Sequence, residues 1–379
     1  MAKNKLVLSM IVKNEAHVIE RCLASMLPLI DTWCIVDTGS TDGTQEKIKE
    51  FFENVGIEGK LVQSTWKGFG ESRSEALECA RPLGDYTIMI DADEIMEYNG
   101  DFDPEKFKDG LTADLYNVFA FYGGIKYHRP QLTSNKKKFY YRGILHEYVD
   151  CHDTIETRAF AQGILNRPIQ DGARSKTPDK YARDAETFEE ALKGSVDERD
   201  FNRYHFYLAQ SYRDSQQWQK AHDAYIKRAE LGGWTEEVFY SLFQAGRLKE
   251  ILNHPIDEIV KIYFQAYQVN PWRAESLWAA ARMCRMYCRF DQAYVFAKQA
   301  LKIRLPEGAL FVSQPIYEWS ILDEFCIAAY WSGHYKEAKL VGDRLLGEAK
   351  FPEDQKQRIE ANHKFACEAL LNGDGGCGC

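Results

Sequence analysis

No run in the chain approaches the roughly 20 apolar residues that cross a bilayer, so no membrane-spanning helix is expected. Positive charge is also in short supply. With 48 Lys and Arg against 57 Asp and Glu, the formal charge is −9 and the pI is near 5.6. That balance argues against broad nucleic-acid binding, which needs a basic surface. The local run Lys136-Lys137-Lys138 is an exception of the kind usually found in a solvated loop. The ten cysteines show no disulfide framework. Cys22, Cys34, Cys79, Cys284 and Cys326 fall inside helical or strand patterns, as reduced, buried thiols do. No secretory leader is expected either. Lys3 and Lys5 before Leu6–Val12 imitate one, but the apolar run is very short, and Lys13-Asn14-Glu15 stands where a small-residue cleavage site belongs. The expectation is a cytoplasmic protein.

What is present suggests two domains: 379 residues, 45% hydrophobic and 13% aromatic, are ample for more than one packed interior. The first half alternates strand and helix patterns. Leu6–Val12 is a continuous apolar run, as in a strand covered on both faces. Helical spacing follows over Glu15–Leu29, then a second strand at Trp33–Val36. The turn Asp37–Thr44 comes next, with Asp42 and Gln45 spaced as a capping box for a helix reaching about Phe52. Leu61–Gln63 reads as a third strand, Glu71–Ala80 as a third helix and Tyr86–Ile90 as a fourth strand. Such alternation implies a parallel sheet with right-handed crossovers.

Chemistry-bearing residues collect at the carboxyl ends of these strands, where open α/β sheets place ligands. Asn14 and Glu15 follow the first, Asp37 the second, and Asp91-Ala92-Asp93-Glu94 the fourth. Each has a plain structural explanation: Asn14 and Glu15 begin a helix, Asp37 caps a turn, Arg73 is a helix surface charge. Their order and spacing favour a shared crevice. Two carboxylates one residue apart, Asp91 and Asp93, form an oxygen site for Mg²⁺ or Mn²⁺, which share their shells with phosphate oxygens.

Ser9-Met-Ile-Val-Lys-Asn-Glu15, Val36-Asp-Thr-Gly-Ser-Thr-Asp-Gly-Thr44 and Ile90-Asp-Ala-Asp-Glu94 resemble the successive signatures of glycosyltransferase family 2. The resemblance covers roughly the first 150 residues. It implies the A-type nucleotide-diphospho-sugar transferase fold, with a mostly parallel, Rossmann-like sheet, and inversion at the anomeric carbon. By the same resemblance, Val12, Asn14, Glu15 and Asp37 line the nucleoside pocket and Arg73 approaches the nucleotide or diphosphate. Asp91 faces the ribose or a metal-bound water, and Asp93 binds the metal. Two departures stand out. Arg73-Ser74 replaces the Arg-Asn of many relatives, and the usual later Glu-Asp pair is not evident between residues 95 and 145. Instead Tyr127-His-Arg-Pro-Gln-Leu132 and Tyr140-Tyr-Arg-Gly-Ile-Leu-His-Glu147 are similar to the "Arg-x-Arg-Leu-Phe … His-Glu" ending of bacterial glycan-core glucosyltransferases, with Gln131 at the second arginine.

Inverting transfer needs a cation on the leaving diphosphate, a base for the acceptor proton and a sugar held in line. Asp93, with Asp91 and His146, is expected to hold Mn²⁺ or Mg²⁺. Glu147 is expected to be the base, ahead of Asp150 and Glu94. His146 has three readings: metal ligand, diphosphate donor or packed histidine. Arg129 and Arg142, with Lys136–Lys138, are expected to line a loop closing over the donor diphosphate. The donor expected is a uridine diphosphate sugar.

From about Pro178 strand patterns vanish. The expected domains are a catalytic 1–175, a helical 176–370 and a flexible Gly/Cys tail, 371–379, carrying Cys377 and Cys379. Tyr204–Tyr212 with Trp218–Ala229, Val238–Pro271, Ser276–Leu301 and Ile321–Leu346 resemble tetratricopeptide units. In three of them an aromatic residue stands three before an alanine. This layout is similar to bacterial glycosyltransferases with a tetratricopeptide-like carboxyl half, including peptide S-glycosyltransferases. It implies a protein, peptide or glycan acceptor, and the helical half could also pair two copies of the chain. Trp234, Trp272, Trp278, Trp319 and Trp331 are either core residues or sugar platforms. Two other readings compete. A nucleotidyltransferase would carry a Gly-rich basic loop after the first strand, unlike Lys13-Asn14-Glu15. A nucleotide-binding scaffold without turnover would have no need of Asp91, Asp93 and Glu147.

Overall fold

The computed structural model describes residues 4–122, 125–173 and 179–372. The chain divides into two compact units, Met1–Lys180 and Tyr181–Cys379. The expected boundary at 175/176 and the tail cysteines Cys377 and Cys379 lie outside the described residues.

The first unit is built on an eight-stranded sheet. Strands β1 (Leu6–Val12), β2 (Thr32–Asp37), β3 (Gly59–Gln63) and β4 (Tyr86–Met89) are mutually parallel, in the order β3-β2-β1-β4. Every residue of β2 is buried, and all of β1 but Ile11. That explains why both read as unbroken apolar runs. Helices α1 (Ile19–Met26), α2 (Thr44–Val55) and α3 (Phe69–Ala80) connect these strands. The connections are those expected from the sequence, with two corrections.

Helix α1 is shorter than the Glu15–Leu29 spacing implied, because residues 15–18 form a turn in which Glu15 O accepts from both Val18 N (3.0 Å) and Ile19 N (2.9 Å). The capping box also fails. Gly43, in the left-handed region at φ +90°, is the N-cap of α2. Asp42 instead accepts from Thr44 N at 3.1 Å and Ala16 N at 3.0 Å, while Gln45 Nε2 donates to Asp37.

Beyond β4 the alternation stops. β5 (Glu94–Tyr98), α4 (Pro104–Asp109), β6 (Leu115–Tyr122), β7 (Ile125–Ser134), a two-stranded pair β8 (Phe139–Arg142) and β9 (Tyr148–Cys151), and β10 (Arg158–Pro168) follow. They extend the sheet as β4-β7-β6-β10-β5. β7 runs antiparallel to both β4 and β6, and β5 antiparallel to β10, whereas β10 and β6 are parallel. Four of the seven ladders are therefore parallel, giving a mostly parallel sheet with helices.

The second unit is helical. After α5 (Lys180–Lys193) come α6 (Glu198–Asp214) with α7 (Trp218–Glu230), α8 (Thr235–Ile251) with α9 (Ile256–Val269), α10 (Glu275–Met286) with α11 (Phe290–Ala300), α12 (Ile321–Trp331) with α13 (Tyr335–Glu348), and α14 (Lys356–Leu371). From α6 on, each helix packs on the next. The aromatic-to-alanine spacing has a local cause. Trp218, Phe290 and Tyr335 open the second helix of their pairs, and Ala221, Ala293 and Ala338 sit one turn later, buried where helices meet. A small side chain there lets two helix backbones approach. Trp234, Trp272 and Trp331 are exposed, whereas Trp278 and Trp319 pack partly against the core. No helix among the described residues is long and apolar enough to cross a membrane.

Candidate active site

The ends of β1 and β2 are laced together by short polar residues. Val12 O accepts from Thr38 N at 3.0 Å and Thr38 Oγ1 at 3.1 Å. Asn14, at φ +58°, takes Ser40 Oγ on its backbone N–H (2.9 Å) and offers its side-chain oxygen to Thr41 N (2.8 Å). Glu15 N donates to Thr44 Oγ1 at 2.8 Å. Asn14 thus shapes the rim by joining two loops. Asp37 is almost fully buried, and its Oδ1 accepts from Gly39 N, Ser40 N and Gln45 Nε2, each at 2.9 Å. Its Oδ2 is buried with no partner. A carboxylate oxygen in that state is costly, by roughly 1–3 kcal/mol or more, unless a donor reaches it.

The end of β4 carries the charge. Arg73, on α3 and only 11% exposed, donates through Nη2 to Asp91 Oδ1 and through Nε to Glu147 Oε1, both at 2.6 Å. One guanidinium therefore joins residues from the β4 end and the β8–β9 connection, 56 positions apart in sequence. Burial alone would raise the Asp91 carboxyl, but the charges of Arg73 and Arg129 outweigh it and hold it below the ordinary carboxylate range. Asp93 behaves in the opposite way. Burial first, then the neighbouring Asp91 charge, raises its carboxyl against the opposing backbone hydrogen bonds from Gly172 N, at 3.2 Å, and from its own amide. Glu15 is pushed up to about 7, by burial and by the charges of Asp93 and Asp91, against the opposing hydrogen bond from Ala173 N. Glu15, Asp91 and Asp93 are therefore one electrostatically linked acidic group.

Glu147 reaches Arg73 because of how α3 meets β8. A Cβ on Gly70 would strike the Gly143 carbonyl oxygen and lie 3.3 Å from Tyr141 O, so only glycine allows this approach. Ser74, one of the departures noted in the sequence, accepts from Tyr141 N at 2.9 Å and donates to Gly70 O at 2.7 Å. It pins β8 to the helix. β8 and β9 pair antiparallel with Arg142 opposite Tyr148, leaving Gly143 (φ +105°), His146 (φ +52°) and Glu147 in the connection.

Arg129 is not on a closing loop. It stands on β7, and its Nη2 donates to both oxygens of Glu94 while its Nε is buried without a partner. Glu94, 3% exposed, also accepts from Asp91 N at 3.1 Å and Asn166 Nδ2 at 2.9 Å. Asn166 bonds Gln131 Oε1 at 3.2 Å, and Gln131 Nε2 reaches Met89 O at 3.0 Å. Glu94 thus supports the Asp91 backbone from below. Lys137 is likewise tied into the fold, to Asp114 Oδ2 at 3.1 Å and Thr154 O at 2.5 Å.

His146 is exposed, and among the described residues no three His, Cys, Asp or Glu side chains converge as a ready-made metal cage. The donor set still fits a hard cation. Mg²⁺ and Mn²⁺ sites often use one or two carboxylates and complete their shells with water and substrate phosphate. Asp93 Oδ2 takes one amide donor from the facing segment, Gly172 N, which leaves the carboxylate acceptor capacity, and the backbone packs closely there, since a Cβ on Gly172 would come within 2.9 Å of Asp93 Oδ2. The sequence reading missed Gly70, Ser74, Asn166 and Gly172. Their spacing carries no chemical signature; Ser74 stands out in the sequence only as a departure from the Arg-Asn of many relatives, with no role attached.

Residues 8–159 match the family model described as "Glycosyl transferase family 2". A "TPR repeat-containing protein" of Synechococcus elongatus is 36% identical over 88 residues, 23% of this chain and 20% of that protein. The chain thus spans about a fifth of the length of this curated relative. Among solved structures, Staphylococcus aureus TarS 1–349 in complex with UDP is similar at 14% identity, with a TM-score of 0.35 over 72% of this chain and 90% of that one. A tetratricopeptide repeat protein from Parabacteroides merdae is similar at 13% identity, with a TM-score of 0.35 over 52% and 68%. BtubC from P. vanneervenii is 18% identical, with a TM-score of 0.37 over 50% and 77%. With TM-scores below 0.5, none of these fixes the arrangement of the chain.

Proposed function

We propose that the glycosyltransferase family 2 domain carried by this chain is a metal-dependent, inverting transferase. In this reading it moves a sugar from a uridine diphosphate donor to a protein, peptide or glycan acceptor, with the helical unit as the candidate acceptor platform. The observation that carries it is the guanidinium of Arg73, which holds Glu147 and Asp91 at 2.6 Å each beside Asp93. That arrangement supplies an acceptor-side carboxylate next to a cation-binding carboxylate, as a single displacement requires. Asp93, with Asp91, would hold Mn²⁺ or Mg²⁺, whose chemistry is to neutralise charge on the leaving diphosphate. Glu147 takes the acceptor proton on Oε2, while Oε1 stays on Arg73. Arg73 fixes the carboxylate's direction, so the proton need not wait for a side-chain search. The unpartnered Oδ2 of Asp37 favours a base that presents an N–H, such as N3–H of uracil.

The test is a panel of nucleotide sugars with the full-length chain, with and without Mn²⁺, read by thermal shift and by released product. Slow release of nucleoside diphosphate from one donor, lost in Asp93→Ala with the fold intact by circular dichroism, is the expected result. Release of pyrophosphate would mean nucleotidyl transfer, and silence across the panel would mean a scaffold. Near-normal turnover in Asp93→Ala would remove the cation site from the mechanism.

A further inference from the structure

Residues 169–173, just past β10, run across the acidic group and are bound to it by their backbone. Ile169 N donates to Asp93 O at 3.0 Å and Gly172 N to Asp93 Oδ2 at 3.2 Å, while Ala173 N lies 3.2 Å from both oxygens of Glu15. The segment is fastened at its middle. Arg21 grips Asp171 with two parallel bonds of 2.9 and 2.6 Å, and His17 Nε2 donates to Asp171 O at 2.9 Å. Gln170 adopts φ +61°, a conformation non-glycine residues rarely hold without compensation. Gly172 packs closely on the carboxylate: a Cβ there would lie 2.9 Å from Asp93 Oδ2, so either the strap or the Asp93 side chain would have to shift.

The consecutive amides of Gly172 and Ala173 donate to Asp93 and Glu15 and so offer partial positive charge to carboxylates that otherwise repel one another. We propose that this strap is a stand-in for the divalent cation: its amides offset the charge of Asp93 and Glu15, and it must lift when the cation takes the Asp93 Oδ2 lone pair that Gly172 N holds. The inference rests on the reading of Asp93 as a cation ligand. Strap closure and cation loading then compete, and the Arg21–Asp171 clasp sets the threshold. The consequence for the proposed reaction is that carboxylates are exposed only as the donor complex arrives, which keeps the acidic group from trapping stray cations.

Two substitutions loosen the strap by unrelated means. Gly172→Ala pushes it off Asp93 without altering charge. Asp171→Asn releases Arg21, although its direct electrostatic effect is to weaken cation binding, so tightening would run against that effect. Mn²⁺ binding to the full-length chain is measured by electron paramagnetic resonance or calorimetry, and amide exchange is followed at residues 169–173. Both variants are expected to bind Mn²⁺ more tightly, Asp171→Asn by up to about fivefold, the scale of a half-exposed Arg–carboxylate clasp. In the wild type, the Gly172 and Ala173 amides lose protection as Mn²⁺ is added. Unchanged or weaker Mn²⁺ binding in both variants, with Asp93→Asn still abolishing it, would overturn the strap and leave the cation site standing. If Asp93→Asn binds Mn²⁺ like the wild type, the cation site falls and the strap falls with it.

Discussion

Replacing Arg73 by methionine tests the central geometry most directly. The side chain keeps an unbranched apolar stem and loses the charged guanidinium, leaving Asp91 and Glu147 without the donor each holds at 2.6 Å. Breaking a buried pair from one side typically costs about 3–5 kcal/mol, because the surviving charge stays desolvated. Here two carboxylates lose one cation, but they are unequal. Glu147 is 12% exposed and suffers the full effect, whereas Asp91 is 33% exposed and keeps Arg129 nearby. Solvent screening discounts its share. The balance is a loss of about 3 kcal/mol, near the lower end of that range. For a unit of this size that corresponds to a fall in melting temperature of roughly 6–12 °C. Differential scanning calorimetry on the full-length chain reads it. A double variant, Arg73→Met with Glu147→Gln, should recover about 1–2 kcal/mol, since the amide removes the stranded charge and neighbouring residues couple on that scale. A single-variant loss under about 1 kcal/mol, or strict additivity in the cycle, would refute the claim that Arg73 links the two carboxylates.

Gly70→Ala should displace β8 from α3 and carry Glu147 away from Arg73; the expected result is a loss of turnover with donor affinity retained, and equal losses of both would place the damage in the binding pocket. In the helical unit, Ala293→Leu forces a larger side chain into a fully buried crossing and should destabilise by about 1–3 kcal/mol, read as a lower midpoint in urea; no shift would mean the α10–α11 contact is loose. The last prediction concerns pH. Glu324 pairs with Arg285 at 2.6 Å, yet burial holds its carboxyl above the usual range, with Asp323 adding to burial and Arg285 opposing it. A raised carboxyl contributes stability at low pH and loses it as pH rises through the folded value. The stability of wild type relative to Glu324→Gln should therefore improve as pH falls from 7 toward 5, and a trend in the other direction would show that Arg285 dominates burial.

The sequence by itself determined the buried parallel strands, because a strand covered on both faces has to be apolar throughout, and β1 and β2 are. It also determined the acidic pair after β4 and the helical pairs, because aromatic and alanine positions at the start of a helix repeat with the unit. What it could not give was any contact made across β7, β8 and β10. Those strands are partly buried and irregular, so their patterns are mixed: β10 shifts register between Phe160 and Leu165, and β8 shows one buried residue in four. The partner of Arg73, the support of Asp91 by Glu94 and Asn166, and the strap on Asp93 and Glu15 all depend on those elements. A charged residue's neighbours are set by the path of the whole chain, whereas its local spacing records only which face must be dry. Tertiary packing alone decided that Arg129 would brace the sheet, that Asn14 would tie two loops, and that Glu147 would end beside Asp91.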